Sequence, residues 1–558
     1  MKRWWFTLTA LSALALPGVA AAQEADTVEV VVDFDDRASG ADVSEVAARQ
    51  GLTLVPNSVM AGDDRMYRAR VPRARLAETL RALSAEGDVD AAEENTEYRA
   101  LFTPNDPMLS QQWGLRRVGT ERSWEVTCGR GVTVAVVDTG VACENYGEFT
   151  RVQDLGGTRC LPGWNFVNNT PHANDDQGHG THVAGTIAQT TNNGIGVAGV
   201  AYCATILPVK VLDAAGRGTL ANVAEGIRWA ADHGAQVINL SLGGGGRSKV
   251  MEQAVDYARR HGTTVICAAG NNGRYVESPA NAPGAVAVSA IDDADQIAFF
   301  SSRGPEVDVA APGVRILQQT ICERGRNRCE QYAAFSGTSM AAPHAAGVAA
   351  LIVSLGITDP DAVERALKST ASAPAHGGNN PELYGAGIVS GSQAADAVLQ
   401  HRAAARALTL ALLALGLALW VKSRKGRFSW SWLIPAYLMG VGSFWLPGFV
   451  GHYVDGVDLL MRPIAEWDTV LLGMGWHRWL AFANAGMVLG LVGLGFGRRF
   501  LRGPVAGFAM GTAAYLLTEL VMGTAYAPLG GILYGAWVLA NVSVCLWVAR
   551  IGVDRTRD

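Results

Sequence analysis

One serine stands in a setting that suits a nucleophile. Residues 335–344 read FSGTSMAAPH, so small residues precede Ser339 and an Ala-rich stretch continues to Leu351. We expect this stretch to begin a helix, and backbone N–H groups at a helix N-terminus favour developing negative charge. Because a serine hydroxyl is a weak nucleophile alone, it needs a general base, and the base needs a group that orients it.

A carboxylate and an imidazole occupy settings that suit those two roles. Asp138 follows an apolar predicted strand, where burial of its charge would be costly without a donor such as a histidine N–H. His179 lies between Gly178 and Gly180, which leave room on both sides of its ring. The alternative for Asp138 is a carboxylate that caps a turn. We interpret the neighbouring His182 as a packing or hydrogen-bonding residue.

An amide that suits an oxyanion hole follows another predicted strand. Asn271 comes directly after the apolar segment that ends in Ala268-Ala269-Gly270. A preorganised donor aimed at developing negative charge can stabilise a transition state by about 3 kcal/mol. We therefore predict that the Asn271 side chain donates to an oxyanion. Taken alone, it would be interpreted as a turn asparagine.

With these four sites in view, the chain resembles the subtilisin-like serine endopeptidases, or subtilases. The matching motifs are DTG at 138–140, HGTH at 179–182, Asn271 and GTSMA at 337–341, within a resemblance that covers about residues 104–398. The resemblance implies Ser339 as nucleophile, His179 as general base and then acid, and Asp138 as orienting carboxylate. It implies an oxyanion hole formed by Asn271 and the Ser339 backbone N–H.

The resemblance also implies how a substrate is bound. The family strand that pairs with the substrate backbone matches Ser241, Leu242, Gly243 and Gly244. Glu277, two residues before Pro279, falls at the family's floor of the first specificity pocket. A carboxylate there would favour Lys or Arg side chains. The alternative is a Glu277 side chain turned to solvent.

Calcium is the usual ion of this family. Residues 191–197, TNNGIGV, resemble its principal calcium loop, with Asn193 as a side-chain ligand. We assign Asp154 as the partner carboxylate, in a region where extra residues that include Cys143 and Cys160 depart from the family pattern. Oxygen ligands of this kind suit calcium. The resemblance thus implies a structural calcium site.

The cysteines fit an exported protein. Cys267 and Cys545 lie in apolar runs and are expected to be free thiols. The other six form an even set that fits disulfides and allows 15 pairings. Zinc is less favoured because no CxxC pair is present. If the strands that follow two of the cysteines were parallel neighbours, the pairs would be Cys128 with Cys203, Cys143 with Cys160, and Cys322 with Cys329.

The chain of 558 residues divides into four regions by pattern. Residues 1–22 have a basic start, a short apolar run and small residues before the expected cleavage site, as in a signal peptide; an uncleaved anchor is the alternative. Residues 23–100 resemble the family's pro-region, an intramolecular chaperone and inhibitor, with an ordinary N-terminal subdomain as the alternative. Residues 101–400 alternate strands with helices, which predicts a parallel sheet covered on both faces. Residues 401–558 are predicted to form a membrane domain.

The fold class expected is therefore α/β, with a subtilisin-like parallel sheet that follows a small α+β pro-domain and precedes an all-α transmembrane bundle. Five apolar runs near the length of a bilayer span are predicted at 404–421, 430–450, 479–496, 504–523 and 529–548. Basic residues after the first, third and fifth runs place those ends in the cytoplasm, so the catalytic region is outside. Glu519 within the fourth run is a functional-site candidate or a residue that fixes helix packing.

The expected function is an exported, membrane-anchored endopeptidase that is made as a zymogen. Its expected partners are a protein or peptide substrate, its own pro-domain and membrane lipid. The net charge of −5 gives no nucleic-acid footprint. The alternatives are a protease fold that serves as a binding module, and a protease domain that serves a membrane transporter or sensor.

Overall fold

A computed structural model describes most of the chain, which forms two compact units, Met1–Ala100 and Leu101–Asp558. The predicted signal peptide, the junction of the predicted pro-region and catalytic region at 97–102, Cys322, Cys329 and parts of the second and third apolar runs lie outside the described residues. The described residues are 27–58, 60–61, 65–96, 103–321, 332–375, 378, 380–423, 431–442, 462–467, 484–526 and 531–553.

The N-terminal unit is a four-stranded antiparallel sheet with two helices, and its strand order is β2-β3-β1-β4. Val30 and Val32 point into its core because alternate residues of the first strand face one side. The first helix begins with a capping box, in which Ser39 and Asp42 each accept a hydrogen bond from the other's backbone N–H. The elements are β1 (Thr27–Phe34), α1 (Gly40–Gln50), β2 (Val55–Pro56), β3 (Met66–Pro72), α2 (Leu76–Leu83) and β4 (Val89–Glu94).

A seven-stranded sheet in the order β11-β10-β9-β8-β5-β7-β6 organises the second unit. Its neighbouring strands all pair in parallel. The sequence favours this parallel arrangement because its strands are continuous apolar runs rather than alternating ones, and continuous runs suit strands that are buried on both faces. The strands are β5 (Thr133–Asp138), β6 (Trp164–Asn165), β7 (Thr205–Lys210), β8 (Val237–Leu240), β9 (Thr264–Ala268), β10 (Ala285–Ile291) and β11 (Val307–Pro312), and the antiparallel pair β12 (Ile316–Gln319) and β13 (Tyr332–Phe335) lies apart from them.

Helices cover both faces of this sheet, as the sequence predicts. Val134 and Val136 of β5 pack in the core that contains the helices α5 and α8, whereas Ala135 and Val137 pack in the core that contains α6 and α7. This alternation confirms the predicted α/β class. The helices are α3 (Trp113–Val118), α4 (Thr120–Trp124), α5 (His179–Ala188), α6 (Leu220–Asp232), α7 (Lys249–Arg260), α8 (Thr338–Ser354), α9 (Pro360–Ser369) and α10 (Pro381–Tyr384).

Two disulfides connect segments near the sheet. Cys128 bonds with Cys203, and Cys143 bonds with Cys160. The first pair meets because β5 and β7, which follow these cysteines, are parallel neighbours, the condition on which the predicted pairing depended. Cys267 and Cys545 are free and buried, as expected.

Five helices make up the described part of the C-terminal region, and three of them contain segments long and apolar enough to cross a membrane: Gly391–Ser423, Phe500–Met522 and Gly531–Gly552. One face of the first exposes large leucines with helical spacing, namely Leu408, Leu412, Leu415 and Leu419. The predicted second and third runs are described only in part, by two shorter helices. The helices are α11 (Gly391–Ser423), α12 (Leu433–Gly440), α13 (Asn484–Gly495), α14 (Arg499–Met522) and α15 (Gly531–Val553).

Candidate active site

The structure brings Asp138 and His179 together at the carboxyl edge of the sheet. Asp138 is the last residue of β5 and is fully buried, and His179 is the first residue of α5. Nδ1 of His179 lies 2.8 Å from Oδ1 of Asp138. The same oxygen accepts the backbone N–H of Thr139 at 2.7 Å. The carboxylate therefore fixes the orientation of the imidazole and leaves its Nε2 for another partner.

This pairing requires that α5 approach the end of β5 very closely. A Cβ atom placed on Gly180 would lie 2.1 Å from the Gly140 carbonyl oxygen and 3.2 Å from Cβ of Asp138. Gly178, just before the helix, has φ of 101°, in the region that favours glycine. The glycines around His179 therefore serve backbone geometry as well as the room for the ring that the sequence suggested.

A second buried carboxylate joins the two segments. Asp175 accepts hydrogen bonds from the Gly178 N–H at 2.9 Å, from the Thr139 hydroxyl at 2.9 Å and from the Thr181 hydroxyl at 2.6 Å. The Thr139 oxygen in turn accepts the Gly180 N–H at 2.9 Å. Sequence reasoning missed this residue, although an aspartate shortly before a helix start is a recognisable signal.

A buried lysine holds the same loops from the other side. Nζ of Lys210 donates to the carbonyl oxygens of Thr139 and Leu212 at 2.6 and 2.8 Å, and to Oδ1 of Asp176 at 2.6 Å. Its side chain is only 3% exposed. Sequence reasoning missed it as well. The available signal was a single charge at the end of an otherwise apolar strand.

The charges around His179 raise its pKa. Burial alone would lower the pKa of the imidazole, but the charge of Asp138, the hydrogen bond to that carboxylate and the charge of Asp175 outweigh burial, so the pKa lies above its ordinary value of 6.5. A general base acts in its neutral form. Activity that depends on His179 should therefore rise as the pH increases through this raised pKa.

Ser339 lies in the first turn of α8, but its hydroxyl is not directed at the base. Oγ of Ser339 donates to the carbonyl oxygen of Ser241 at 3.0 Å, and the Ser241 hydroxyl donates to the Ser339 carbonyl oxygen at 2.8 Å. Among the described residues no hydrogen bond joins Ser339 to His179. For the roles that the resemblance implies, the hydroxyl would have to turn toward the His179 ring; catalytic hydrogen bonds are often not yet formed in structures without substrate.

The Asn271 amide is held with its donor end on the open side. Its Oδ1 accepts the backbone N–H of Thr338 at 2.9 Å and the Thr338 hydroxyl at 3.1 Å. Its Nδ2 lies 3.6 Å from a Cβ placed on Gly337, two residues before Ser339. Because two donors fix the oxygen end, Nδ2 is available to donate to an oxyanion.

An open cleft of about 750 Å³ extends from His179 along one wall of the site. The four residues that the resemblance assigns to pairing with the substrate backbone, Ser241, Leu242, Gly243 and Gly244, line it. Apolar side chains of Leu212, Leu220 and Met251 contribute to its other surfaces. The cleft is wide and apolar enough to accommodate several residues of a peptide.

Glu277 does not line this cleft but lies at one side of it. Its Oε2 is 2.9 Å from a Cβ placed on Gly243, and its Cδ is 2.8 Å from one placed on Gly270. Nδ2 of Asn272 donates to its Oε1 at 2.8 Å. The half-buried carboxylate therefore occupies the space that these two glycines leave open, between the segment after β8 and the segment after β9.

Comparison with known proteins identifies the group to which the chain belongs. The family model described as "Subtilase family" matches residues 129–387. A thermophilic serine proteinase of Bacillus sp. (strain AK1) is 39% identical over 347 residues, which are 62% of this chain and 82% of that protein. Thermitase of Thermoactinomyces vulgaris is 43% identical over 272 residues, 48% of this chain and 92% of its own. The chain belongs to the subtilase family.

As a member of this family, the subtilase is a serine endopeptidase. A solved protease of Pseudoalteromonas arctica PAMC 21717 is also similar. It is 35% identical, with 53% of this chain and 100% of that chain covered and a TM-score of 0.49. The subtilase match ends near residue 387, so the C-terminal helices α11–α15 lie beyond it.

The structure also brings together the two residues of the subtilase that were assigned to calcium. Nδ2 of Asn193 donates to Oδ1 of Asp154 at 2.8 Å, and the Val197 N–H donates to Oδ2 at 3.1 Å. A further carboxylate, Asp106, which the sequence analysis did not single out, accepts the N–H groups of Asn192 and Asn193 at 2.7 and 3.3 Å. Its signal was an acidic residue near the start of the catalytic region.

These two carboxylates form a site that lacks compensating positive charge. Burial raises the pKa of both Asp154 and Asp106, and the Asp106 charge raises that of Asp154 further. Among the described residues, no Lys or Arg pairs with either, and no three His, Cys, Asp or Glu side chains are grouped so that they could hold a metal ion. The Asn193 side-chain oxygen accepts the Ile195 N–H at 2.8 Å, so it is the carboxylate oxygens of Asp106 and Asp154 that fit a hard cation such as calcium.

We expect Asp138→Asn to lower kcat by roughly 10⁴-fold, because the amide no longer holds the tautomer in which Nε2 accepts a proton. The loss of negative charge should also lower the pKa of His179, so that the acidic limb of the pH profile of kcat/KM moves to lower pH. Both quantities can be measured on a chromogenic peptide between pH 5 and 10.

The matched control is Asp256→Asn, on the exposed surface of α7, which should leave the rate and the profile unchanged. A loss of less than tenfold for Asp138→Asn, or an acidic limb that moves upward, would contradict the assigned role of the carboxylate.

Proposed function

We propose that this subtilase is an exported, membrane-anchored endopeptidase that hydrolyses peptide bonds through an acyl-enzyme on Ser339 and is made as a zymogen. The observation that carries the proposal is the Asp138–His179 pair at 2.8 Å, at the same sheet edge as Ser339 and the exposed donor end of Asn271. These four groups are the parts that nucleophilic acyl transfer needs.

In the proposed first step, Oγ of Ser339 attacks the carbonyl carbon of the scissile bond while Nε2 of His179 takes the hydroxyl proton. Asp138 keeps Nδ1–H of the ring in place and stabilises the resulting imidazolium. The carbonyl oxygen becomes an oxyanion that accepts hydrogen bonds from Nδ2 of Asn271 and the Ser339 N–H. The C–N bond then breaks as His179 gives its proton to the leaving amine.

Water completes the cycle by the reverse sequence. His179 takes a proton from a water molecule that attacks the acyl carbon, and the proton then returns to Oγ of Ser339 as the ester bond breaks. The product is a carboxylate, and the enzyme is regenerated. The reciprocal hydrogen bonds between Ser339 and Ser241 keep the nucleophile next to the wall that would pair with the substrate backbone.

Ser339→Ala should reduce kcat for a soluble peptide by about 10⁶-fold, because the acyl intermediate can no longer form. A fluorophosphonate should label the mature native protein at Ser339 and should not label this variant. Ser369→Ala, on an exposed helix surface, is the matched control and should behave as the native protein.

The same variant separates the alternatives. Full cleavage by Ser339→Ala would exclude the proposed nucleophile. Absent labelling and cleavage in the native protein would favour a binding module with a protease fold. If Ser339→Ala loses cleavage but cells that carry it keep any transport or signalling phenotype of the native protein, the result would indicate a separate transporter or sensor function.

The C-terminal helices support membrane anchoring. Three of the described helices reach span length, and the exposed leucine face of α11 needs an apolar surrounding that lipid would provide. Two disulfides in the catalytic region fit the exported side of the membrane. We propose five spans with the C-terminus in the cytoplasm, from the charges that flank the apolar runs.

The N-terminal unit supports a zymogen. Residues 27–96 hold a sheet and helices with a core of their own, formed by side chains such as Val30, Val32 and Leu83. A separately folded unit before a catalytic region can be removed without loss of the second core. We propose that it acts as an inhibitory partner until the chain between the two units is cut.

We propose further that Glu277 gives a preference for Lys or Arg in the first specificity pocket. Its half-buried carboxylate lies against Gly243 and Gly270, where a long basic side chain could reach it out of bulk water. A preference for an apolar side chain would instead indicate that the carboxylate is satisfied by Asn272 alone.

Glu277→Gln should therefore lower kcat/KM for an Arg peptide by at least tenfold while kcat/KM for the matching Phe peptide changes little, since only the first loses an ion pair. Comparison of the two peptides with the native enzyme, with the variant and with Glu306→Gln as an exposed control tests this. A native enzyme that prefers the Phe peptide would sink the proposal.

We also propose that Asp106, Asp154 and Asn193 hold a structural calcium ion. The ion would offset the burial that raises the pKa of both carboxylates. It would stabilise the folded catalytic region by mass action and take no part in the chemical steps.

Calcium at a hundred times its dissociation constant should stabilise the fold by about 2.7 kcal/mol, so a chelator should lower Tm measurably. Asp154→Asn should remove most of this calcium dependence. Asp293→Asn, an exposed control, should keep it. Equal shifts of Tm on chelation in Asp154→Asn and the native protein would contradict this assignment.

A further inference from the structure

A group of buried charges links the catalytic region to the C-terminal helices. We define the charge cluster as Arg402, Arg406, Glu466 and Glu519, whose side chains are all 5% exposed or less. Nη2 of Arg402 lies 3.0 Å from Oε1 of Glu466, and Nη2 of Arg406 lies 2.9 Å from Oε1 of Glu519. Glu519, a functional-site candidate by sequence, is therefore ion-paired, which favours its alternative role in packing.

The charge cluster contacts the C-terminal end of the nucleophile helix α8. Arg402 donates to the Leu355 carbonyl oxygen. Nearby, Arg462 donates to the Ser354 carbonyl oxygen. Guanidinium groups are favourable there because the last carbonyls of a helix lack partners within the helix and carry partial negative charge. The helix that carries Ser339 in its first turn thus ends on Arg402 and Arg462 of the C-terminal region.

Further hydrogen bonds hold the loop after α14 against the catalytic region. The carbonyl oxygen of Thr524 accepts the N–H groups of Thr358 and Asp359 at 2.8 and 3.0 Å. The Tyr526 N–H donates to the Thr358 hydroxyl at 3.0 Å, and the Tyr526 hydroxyl donates to the Arg260 carbonyl oxygen. The contact is therefore made at several points and leaves little freedom to pivot.

All of these contacts come from the edge of the sheet that lies opposite the active site. Arg260 ends α7 and Ser354 ends α8, and both helices run back from the carboxyl edge toward the start of the strands. The Ser354 hydroxyl also lies 2.7 Å from that of Thr127, which precedes β5. Asp138 ends β5 and Asn271 follows the end of β9, so both lie at the other edge.

The helix sets the distance between the two edges. Ser339 and Ser354 are both in α8, and a rise of about 1.5 Å per residue puts them about 22 Å apart along its axis. The helix is nearly all buried between the sheet and α5, and small residues such as Gly347 allow this close packing. It is therefore a rigid spacer.

We propose that the charge cluster and the contacts around it hold the active site on the side of the catalytic region that faces away from the membrane helices. This subtilase therefore cleaves exported polypeptide only at bonds that are at least one length of α8 away from the membrane helices. The inference rests on the proposed function and names its substrate class, which is soluble exported chains and long exported segments of membrane proteins. Bonds next to a membrane span are excluded.

This length of α8 sets a minimum number of substrate residues between a membrane span and the scissile bond. An extended chain covers at most about 3.3–3.6 Å per residue, so at least about seven residues must separate the end of a substrate's span from its scissile bond. A flexible chain is shorter on average than an extended one, so cleavage should continue to increase over the next ten residues or so.

The test uses the full-length mature protein in vesicles, with single-span reporters that carry one Arg-containing cleavage sequence in a Gly/Ser chain. Because the limit is set by the extension of the chain, the four reporters place this sequence roughly 3, roughly 8, roughly 15 and roughly 25 residues from the span. A soluble peptide of the same sequence reports the proposed function independently, and Ser339→Ala gives the background. We expect cleavage of the longest reporter to exceed cleavage of the shortest by more than tenfold, with the increase beginning at the second.

Equal cleavage of the shortest and longest reporters would overturn the proposal and leave the proposed function standing, provided that the soluble peptide is cleaved. Cleavage of the peptide without cleavage of any reporter would also overturn it. If neither peptide nor reporters are cleaved, the proposed function itself is wrong, and this inference is wrong with it.

A variant tests the part assigned to the charge cluster. Glu519→Gln leaves two buried guanidinium groups with one carboxylate, so the contact should loosen and cleavage of the shortest reporter should rise at least fivefold while kcat/KM for the soluble peptide stays unchanged. Glu225→Gln, exposed on α6, is the control. An intact rate on the peptide with unchanged exclusion of the shortest reporter would show that the cluster does not fix the active site. If the variant does not fold, the reporter series with the native protein decides alone.

Discussion

The active site depends on how closely helix α5 meets the end of strand β5. Residue 180 has no room for a side chain, because a Cβ there would lie 2.1 Å from the Gly140 carbonyl oxygen. This approach carries His179 to the buried Asp138 and lets the Gly180 N–H reach Thr139. A buried carboxylate needs hydrogen-bond donors, and Oδ1 of Asp138 has two partners, the Thr139 N–H and the His179 ring. The same close contact raises the pKa of His179.

Helix α8 extends this arrangement across the whole catalytic region. Its first turn holds Ser339 and fixes the Asn271 amide through Thr338, where the positive end of the helix dipole suits an oxyanion. Its last carbonyls accept hydrogen bonds from Arg402 and Arg462. The N-terminal end of this buried helix therefore faces a site that suits negative charge, and its C-terminal end faces positively charged guanidinium groups. The consequence is that the chemistry and the contact with the membrane region lie at opposite ends of a single rigid element.

The sequence predicted those parts that depend on local pattern. Apolar runs buried on both faces indicated the parallel sheet, and the residues just after those strands included Asp138 and Asn271. What it could not predict depends on contacts between distant segments. The three hydrogen bonds of Lys210 join loops that only the folded sheet brings together. Likewise, Glu519 stands in an apolar run with no sign of Arg402, which lies 117 residues earlier in the chain.

Stability alone does not account for the charge cluster, because well-packed apolar residues often replace buried ion pairs without loss of stability. An ion pair restricts the relative orientation of two segments more than an apolar contact does, since each guanidinium must meet a carboxylate in a particular direction. Here the paired carboxylates come from two separate segments of the membrane region, and their arginines lie on the helix that continues from the catalytic region. Such an arrangement favours one relative placement of the two, and a fixed placement is what the proposed limit on cleavage distance requires.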